Sequence, residues 1–290
     1  SSGGHRVNAS GYNYVAWCWK AGGSKDTFNI DDVGYSTASA AGLDGGSITP
    51  TGASVGTKQG FSIIKYVGNS TGGASFSHGL SKAPKIIFHK NLDSTKDWYT
   101  ITTAIDGSGD YFYLNQTTSI NNSAVTVPTS SLAYLTASHE SNTSGDNYIA
   151  YMWHDVEGLQ KIGSYTGNGA KNFVYLGFRP ARVMVKRVTA NSSPDSSNSY
   201  TAWTIVDTKR LSYNGKTPNH LYANLLDGEG VRGNGSATSG LTDMTMEPMA
   251  SGFYLNGPGS EVNASTGTYI YLAWAEAPFQ NLYGAQSNAR

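Results

Sequence analysis

The sequence predicts an all-β chain: two tandem antiparallel β-sandwich modules of jelly-roll type, preceded by a stray strand and a long linker. Three observations carry this. One phrase occurs three times, as Asn8-Ala-Ser-Gly11-Tyr-Asn-Tyr14-Val-Ala-Trp17-Cys-Trp19, as Asn142-Thr-Ser-Gly145-Asp-Asn-Tyr148-Ile-Ala-Tyr151-Met-Trp153 and as Asn263-Ala-Ser-Thr-Gly267-Thr-Tyr269-Ile-Tyr271-Leu-Ala-Trp274. In each copy the Tyr follows the Asn by six positions and the Trp follows the Tyr by five. A turn of Asn, Ser and Gly hands over to an uncharged apolar run, the pattern of a buried strand entered through a tight turn. Second, short runs rich in Val, Ile, Tyr, Phe, Trp and Thr recur along the chain, bounded by Gly, Asn, Ser, Asp and Pro, which is strand punctuation. Third, no window of a dozen residues has apolar spacing at three and four, so helix signals are nearly absent.

Taken in order, residues 1–19 read as the last strand of an upstream module, which makes the chain the C-terminal piece of a longer protein. Cys18, the one cysteine, falls inside that strand and reads as a small core hydrophobe. Residues 20–58 are rich in Gly, Ser, Thr and Ala, with small islands at Phe28–Ile30 and Ser47–Thr49, and read as an extended linker. Residues 59–157 form the first module and 158–279 the second. A further internal match supports that division: Tyr66-Val-Gly68-Asn69 answers to Tyr165-Thr-Gly167-Asn168, His78-Gly79-Leu80 to Leu176-Gly177-Phe178, and Trp98 to Trp203. Strands are predicted at Phe61–Val67, Lys85–Lys90, Trp98–Thr102, Tyr111–Leu114, Tyr148–Trp153, Phe173–Leu176, Arg182–Val188, Ala202–Val206, Gly252–Leu255 and Tyr269–Trp274. In Lys85–Lys90 the apolar residues run together, so that strand should be covered on both faces. Trp19, Trp153 and Trp274 should be equivalent and buried, as should Tyr14, Tyr148 and Tyr269. Residues 280–290 read as a polar tail with a natural C-terminus.

The formal net charge is zero and only 14% of residues are charged. Such a chain has no electrostatic footprint for nucleic acid or an anionic membrane. No apolar run is long enough to span a bilayer, so no membrane insertion is expected. Six Trp, nineteen Tyr and nine Phe supply ample surface to bury, which argues against disorder.

Motifs with catalytic spelling fail on context. Gly52-Ala-Ser54-Val-Gly56 has the nucleophile-elbow pattern but no helix after it. Gly228-Glu-Gly230-Val-Arg-Gly233 has the dinucleotide pattern, again with no helix following. Ser62 and Lys65 of a Ser-x-x-Lys match point to opposite faces of a strand. No histidine pair has zinc spacing, and His78, whose counterpart is Leu176, reads as a packing position. Asp93 and Asp97, and Asp106 and Asp110, read as turn formers, so no metal, cofactor or catalytic residue is assigned. For ligand contact, Trp98 and Trp203 are tempting but sit at equivalent places, which suits a core. Tyr200, Tyr213, His220 and Tyr222 edge the soft stretches Ala190–Ser199 and Lys209–Thr242 and are expected to be exposed.

The phrases Tyr14–Gly23, Gly60–Asn69, His78–Leu80, Ala83–Ile87, Gly163–Gly169, Gly177–Ala181, Val183–Arg187 and Tyr269–Phe279 resemble repeats in virion proteins of marine tailed phages. Those proteins are described as tail-fibre or other structural proteins, often with an upstream concanavalin/laminin-G-like domain, and offer no catalytic residues to carry over. The resemblance implies a non-enzymatic virion protein, a distal tail-fibre segment that binds a bacterial surface glycan or protein. It also implies contacts with other virion proteins and a homotrimer, on the particle surface and so extracellular when it functions. The alternatives are a polysaccharide-degrading fibre enzyme, and a capsid-surface or fibre-shaft protein with no receptor role.

Overall fold

The computed structural model describes residues 10–11, 14–121, 125–137, 140–189, 201–210, 220–225, 229 and 245–278. The chain is all-β, as its sequence predicts, and no α-helix occurs among the described residues. The strands are β1 (Phe28–Ile30), β2 (Val33–Tyr35), β3 (Gly52–Gly56), β4 (Phe61–Val67), β5 (Ser75–Ser77), β6 (Ile86–Asn91), β7 (Tyr99–Thr102), β8 (Asp110–Tyr113), β9 (Leu132–Tyr134) and β10 (Asn147–Trp153). They continue as β11 (Gln160–Thr166), β12 (Asn172–Tyr175), β13 (Pro180–Arg187), β14 (Trp203–Asp207), β15 (Leu221–Tyr222), β16 (Thr245–Met249), β17 (Gly252–Asn256) and β18 (Thr268–Ala275).

One order of strands occurs twice. In the large first sheet β4-β10-β6-β7-β8 are neighbours, and in the second β11-β18-β13-β14-β15 are neighbours. Each is accompanied by a small sheet, β5-β9 in the first half and β12-β17-β16 in the second. Alternation along the strands gives each large sheet two apolar faces. One face packs under its own small sheet: Ile64, Tyr66, Phe76, Ile87, Ala133 and Tyr148 in the first half, and Val174, Val183, Val185, Phe253, Tyr269 and Tyr271 in the second. The opposite faces share a third cluster, in which Phe61, Ile86, Phe88, Phe112 and Trp153 meet Ile162, Met184, Trp203, Ile205, Ile270 and Leu272. The run in β6 is therefore covered on both sides, as expected, and the second cover is the other half of the chain.

Two expectations are corrected. Residues 20–58 are not a free linker. Strand β3 pairs antiparallel with β4 and β1 pairs parallel with β3, so this arm extends the first sheet to eight strands. Composition hid it because small residues are what the tight packing requires: a Cβ on Gly22 would lie 2.3 Å from the carbonyl oxygen of Val55. The turn between β1 and β2 is Asp31-Asp32, both at positive φ (48° and 68°), the conformation that a two-residue hairpin demands. Second, Tyr14–Ala21 joins no sheet. Its alternate residues Trp17 and Trp19 pack on the shared cluster, while Tyr14 is 52% exposed and Cys18 is exposed too. The Tyr of the first copy is thus not buried like the other two, Tyr148 and Tyr269, which are fully buried, and of the three Trp expected to be buried only Trp153 is, while Trp19 and Trp274 are half-buried. The tail 280–290 lies outside the described residues.

Candidate functional site

The repeated phrase earns its register by clamping a strand pair. Asn142 accepts a hydrogen bond from the Asn69 amide (2.8 Å) and donates to the Thr71 carbonyl (2.9 Å). Asn263 accepts from the Asn168 amide (3.2 Å) and donates to the Ala170 carbonyl (2.6 Å). Tyr148 stacks on Tyr66 with centroids 5.2 Å apart, and Tyr269 on Tyr165 at 5.0 Å. The tyrosine hydroxyls accept from the amides of Thr143 and Ala264 at 2.9 and 2.8 Å. Each clamp fixes the turn that leads to the small sheet, and so fixes what that sheet presents to solvent.

The small sheets differ at that point. Strand β5, Ser75-Phe76-Ser77, stands before His78-Gly79, and β12 ends in Phe173-Val174-Tyr175 before Leu176-Gly177. Phe76 and Val174 turn inward and are buried; their neighbours turn outward. In the first half those neighbours are serines, buried beneath the arm. Gly45 and Ser47 donate their amides to the Ser77 and Ser75 hydroxyls at 3.2 and 3.4 Å, and the Ile48 amide donates to the Ser75 carbonyl at 2.8 Å. In the second half the neighbours are Phe173 (47% exposed) and Tyr175 (63% exposed). Side chains of that size leave no room for an arm held as closely as Gly45–Ile48.

Register completes the surface. Phe173 lies opposite Tyr254, which lies opposite Glu247; Tyr175 lies opposite Gly252, which lies opposite Met249. Directly opposed residues of an antiparallel pair share a face. The outer face of β12-β17-β16 therefore carries three aromatic rings, an exposed Met249 and a carboxylate. Gly252 lets the Phe173 ring lie across the sheet: a Cβ there would sit 2.9 Å from the ring's Cζ. The Lys161 ammonium stands 5.5 Å from the centre of the Tyr175 ring and donates to the Tyr175 carbonyl at 3.2 Å. Open aromatic rings flanked by one cation and one carboxylate suit a ligand with apolar C–H faces and hydroxyl edges, because the ring faces carry negative charge density.

The candidates read from sequence fare differently. Trp203 is fully buried in the shared core, 5.8 Å from Phe112. Trp98 is half-buried and stacks on Tyr151 at 6.1 Å. His220 and Tyr222 were expected to be exposed but are buried, ring against ring at 5.0 Å, because pairing of β15 with β14 turns Tyr222 under the sheet beside Thr204. Tyr200 and Tyr213 lie outside the described residues. Phe173 and Tyr175 were missed: Phe-Val-Tyr-Leu is apolar throughout, and period-two reading cannot say which pair faces out.

Ser54, His78, Asp93, Asp106 and Lys186 have structural roles, whereas Asp110, read as a turn former, opens strand β8 with a buried carboxylate that has no hydrogen-bond partner among the described residues. Ser54 sits in β3 and donates to the Gly23 carbonyl at 2.8 Å. His78 accepts the Leu80 amide on Nδ1 (3.1 Å) and its Nε2 meets the Thr129 carbonyl (3.1 Å); burial holds its pKa down. Asp106 accepts from the amide and hydroxyl of Ser108, and Asp93 from the amide and side chain of Asn147. The Lys186 ammonium is buried between the carbonyls of Gln116 and Thr201, and loss of hydration pulls its pKa to about 7. No three His, Cys, Asp or Glu side chains gather as metal ligands among the described residues.

No curated protein and no solved structure matches the chain. One family model does, described as Domain of unknown function (DUF7483), over residues 1–278. The chain belongs to the DUF7483 family.

Proposed function

We propose that the protein is a non-enzymatic attachment segment of a phage virion, a distal tail-fibre piece that binds saccharide on the bacterial surface through the outer face of β12-β17-β16. The observation that carries this reading is the exposed pair Phe173 and Tyr175, placed where the first half has two serines covered by the arm. Sugar rings stack on such residues, and Glu247 and Lys161 stand beside them to meet hydroxyls. The virion assignment rests on the resemblance of the repeated phrases to marine tailed-phage proteins. Assembly as a homotrimer would present three such faces at once, and linking weak sites raises avidity without new contacts.

The test is to incubate the protein with purified envelope polysaccharide of a host bacterium, measuring retention and new reducing ends together. Retention without new ends is the expected result. Sustained release of reducing ends, abolished by one carboxylate substitution, would establish the polysaccharide-degrading alternative instead.

A further inference from the structure

Asp110 is buried where no side chain answers it. Across the first sheet it lies opposite Thr102, which lies opposite Ile86. It shares a side of β8 with Phe112, and Ile86 and Phe112 both belong to the shared core. Asp110 is 1% exposed, and neither carboxylate oxygen has a hydrogen-bond partner among the described residues. Buried carboxylates are ordinarily paired or bound to a metal, because an ionised group is costly there without a counter-charge. Lys85, which precedes β6, is engaged elsewhere: its carbonyl accepts the Thr102 hydroxyl at 2.9 Å, but its ammonium turns to Asp155 at 2.6 Å. Burial, and then the like charge of Asp106, push the Asp110 pKa up.

The second half shows how this chain treats a carboxylate at the same joint. Trp203 answers to Trp98, so Asp207 answers to Thr102, the partner of Asp110. Asp207 shares a side of β14 with Trp203 and Ile205 of the shared core, and it is 2% exposed. Its carboxylate meets the Arg210 guanidinium at 2.6 Å, and Arg182 lies opposite it in the β13-β14 pair. The second half brings cations to its buried carboxylate. The turn before β8 brings oxygen instead. Asp106, Ser108 and Asp110 stand at alternate positions, the spacing at which calcium loops place their first three ligands. Oδ1 of Asp106 accepts the Ser108 amide at 2.8 Å and the Ser108 hydroxyl at 2.6 Å, and no hydrogen bond among the described residues engages its Oδ2. The carbonyls of Gly107 and Ser108 accept no backbone hydrogen bond among those residues.

We propose that Asp110, Asp106 and the main chain between them hold a calcium ion, which does for the first half what Arg210 does for the second. Asp110 ligates from the core side and Oδ2 of Asp106 from the solvent side. No third carboxylate or histidine joins them among the described residues; calcium fills its six to eight positions with backbone carbonyls, hydroxyl oxygen and water as readily as with carboxylates. The ion also steadies the joint between the halves, because in the same turn the Ile105 carbonyl accepts the Ser164 hydroxyl of β11 at 3.3 Å.

The test is to strip the full chain with a chelator and titrate it with calcium chloride alone, reading heat and thermal unfolding. One ion should bind per chain, with Kd of about 10⁻⁴ to 10⁻³ M. The unfolding midpoint should rise by about 3 °C at a tenfold excess over Kd. Magnesium, which demands a smaller octahedral shell, should bind at least about tenfold more weakly. Asp110→Asn should abolish both the heat and the shift. Absence of any calcium response in the wild-type protein overturns the proposal and marks Asp110 as a carboxyl that is simply protonated. Binding that Asp110→Asn leaves unchanged also overturns it, because the ion then lies elsewhere. If Asp110→Asn does not fold, Asp106→Asn decides, since Asp106 is exposed in the turn: a tenfold or greater loss of calcium affinity supports the proposal, and unchanged affinity overturns it.

Discussion

Tyr66, His89 and Gly167 show how closely single residues are fixed. The Tyr66 hydroxyl donates to the Ser141 carbonyl at 2.7 Å and accepts from Nδ1 of the buried His89 at 3.0 Å. Nδ1 can donate from either ring state, but Nε2 has no hydrogen-bond partner among the described residues and burial disfavours the charged ring, which lowers the His89 pKa to about 3. The unfolded chain takes up this proton near pH 6.5 and the folded chain only near 3, so His89 favours folding above about pH 6.5 and loses that contribution as pH falls toward 3. The slope is about 1.4 kcal/mol per pH unit. Denaturant titrations of wild type and His89→Gln between pH 7 and pH 4 should show a flatter dependence in the variant. Gly167 is fixed by contact: a Cβ would lie 2.2 Å from the Ala264 carbonyl oxygen. Gly167→Ala should cost about 2–4 kcal/mol, read as a shift in the urea midpoint, whereas Gly107→Ala has open space around its Cβ and only a strained φ of 92° to bear.

Elements were legible where a strand is long and apolar and obscure where small residues build it. The runs that became β4, β6, β10, β13 and β18 were readable from Phe61, Ile86, Tyr148, Val183 and Tyr269 and their neighbours. Strand β3 was not, because Gly-Ala-Ser-Val-Gly owes its place to close approach of the arm rather than to side-chain hydrophobicity. The proposed binding face of β12 lay between these cases, visible as a strand and ambiguous in its facing. Protection of edges was not legible at all. On the outer edge of β11 the Asp155 carboxylate takes the Ile162 amide at 2.8 Å and the Lys85 ammonium takes the Ile162 carbonyl at 3.2 Å, and the two pair at 2.6 Å. Both side chains are partly exposed, so the pair adds about 1 kcal/mol or less to stability. Its larger effect is to deny this edge to another strand. Lys85→Ala/Asp155→Ala should therefore change the unfolding midpoint little and raise self-association in light scattering.

At the scale of the molecule, the two halves share a core that sequence did not reveal. The repeat showed two similar units, but a residue facing a partner unit is spelled like one facing its own interior: Phe88 and Ile270 read alike in either place. Trp203 stands in that core, fully buried against Phe112 of the other half. Trp203→Ala should cost about 3–5 kcal/mol, and calorimetry of the wild-type protein should show one transition for both halves. Attachment through one face of this body is the claim on which the functional reading depends, and affinity for host envelope polysaccharide tests it most directly. Phe173→Ala and Tyr175→Ala should each weaken binding by about 2 kcal/mol, roughly thirtyfold, with folding unchanged because both rings are exposed. Leu92→Ala, which removes an equally exposed side chain elsewhere, should leave affinity as it was. Equal affinity in all three variants would contradict the assignment of the β12-β17-β16 face.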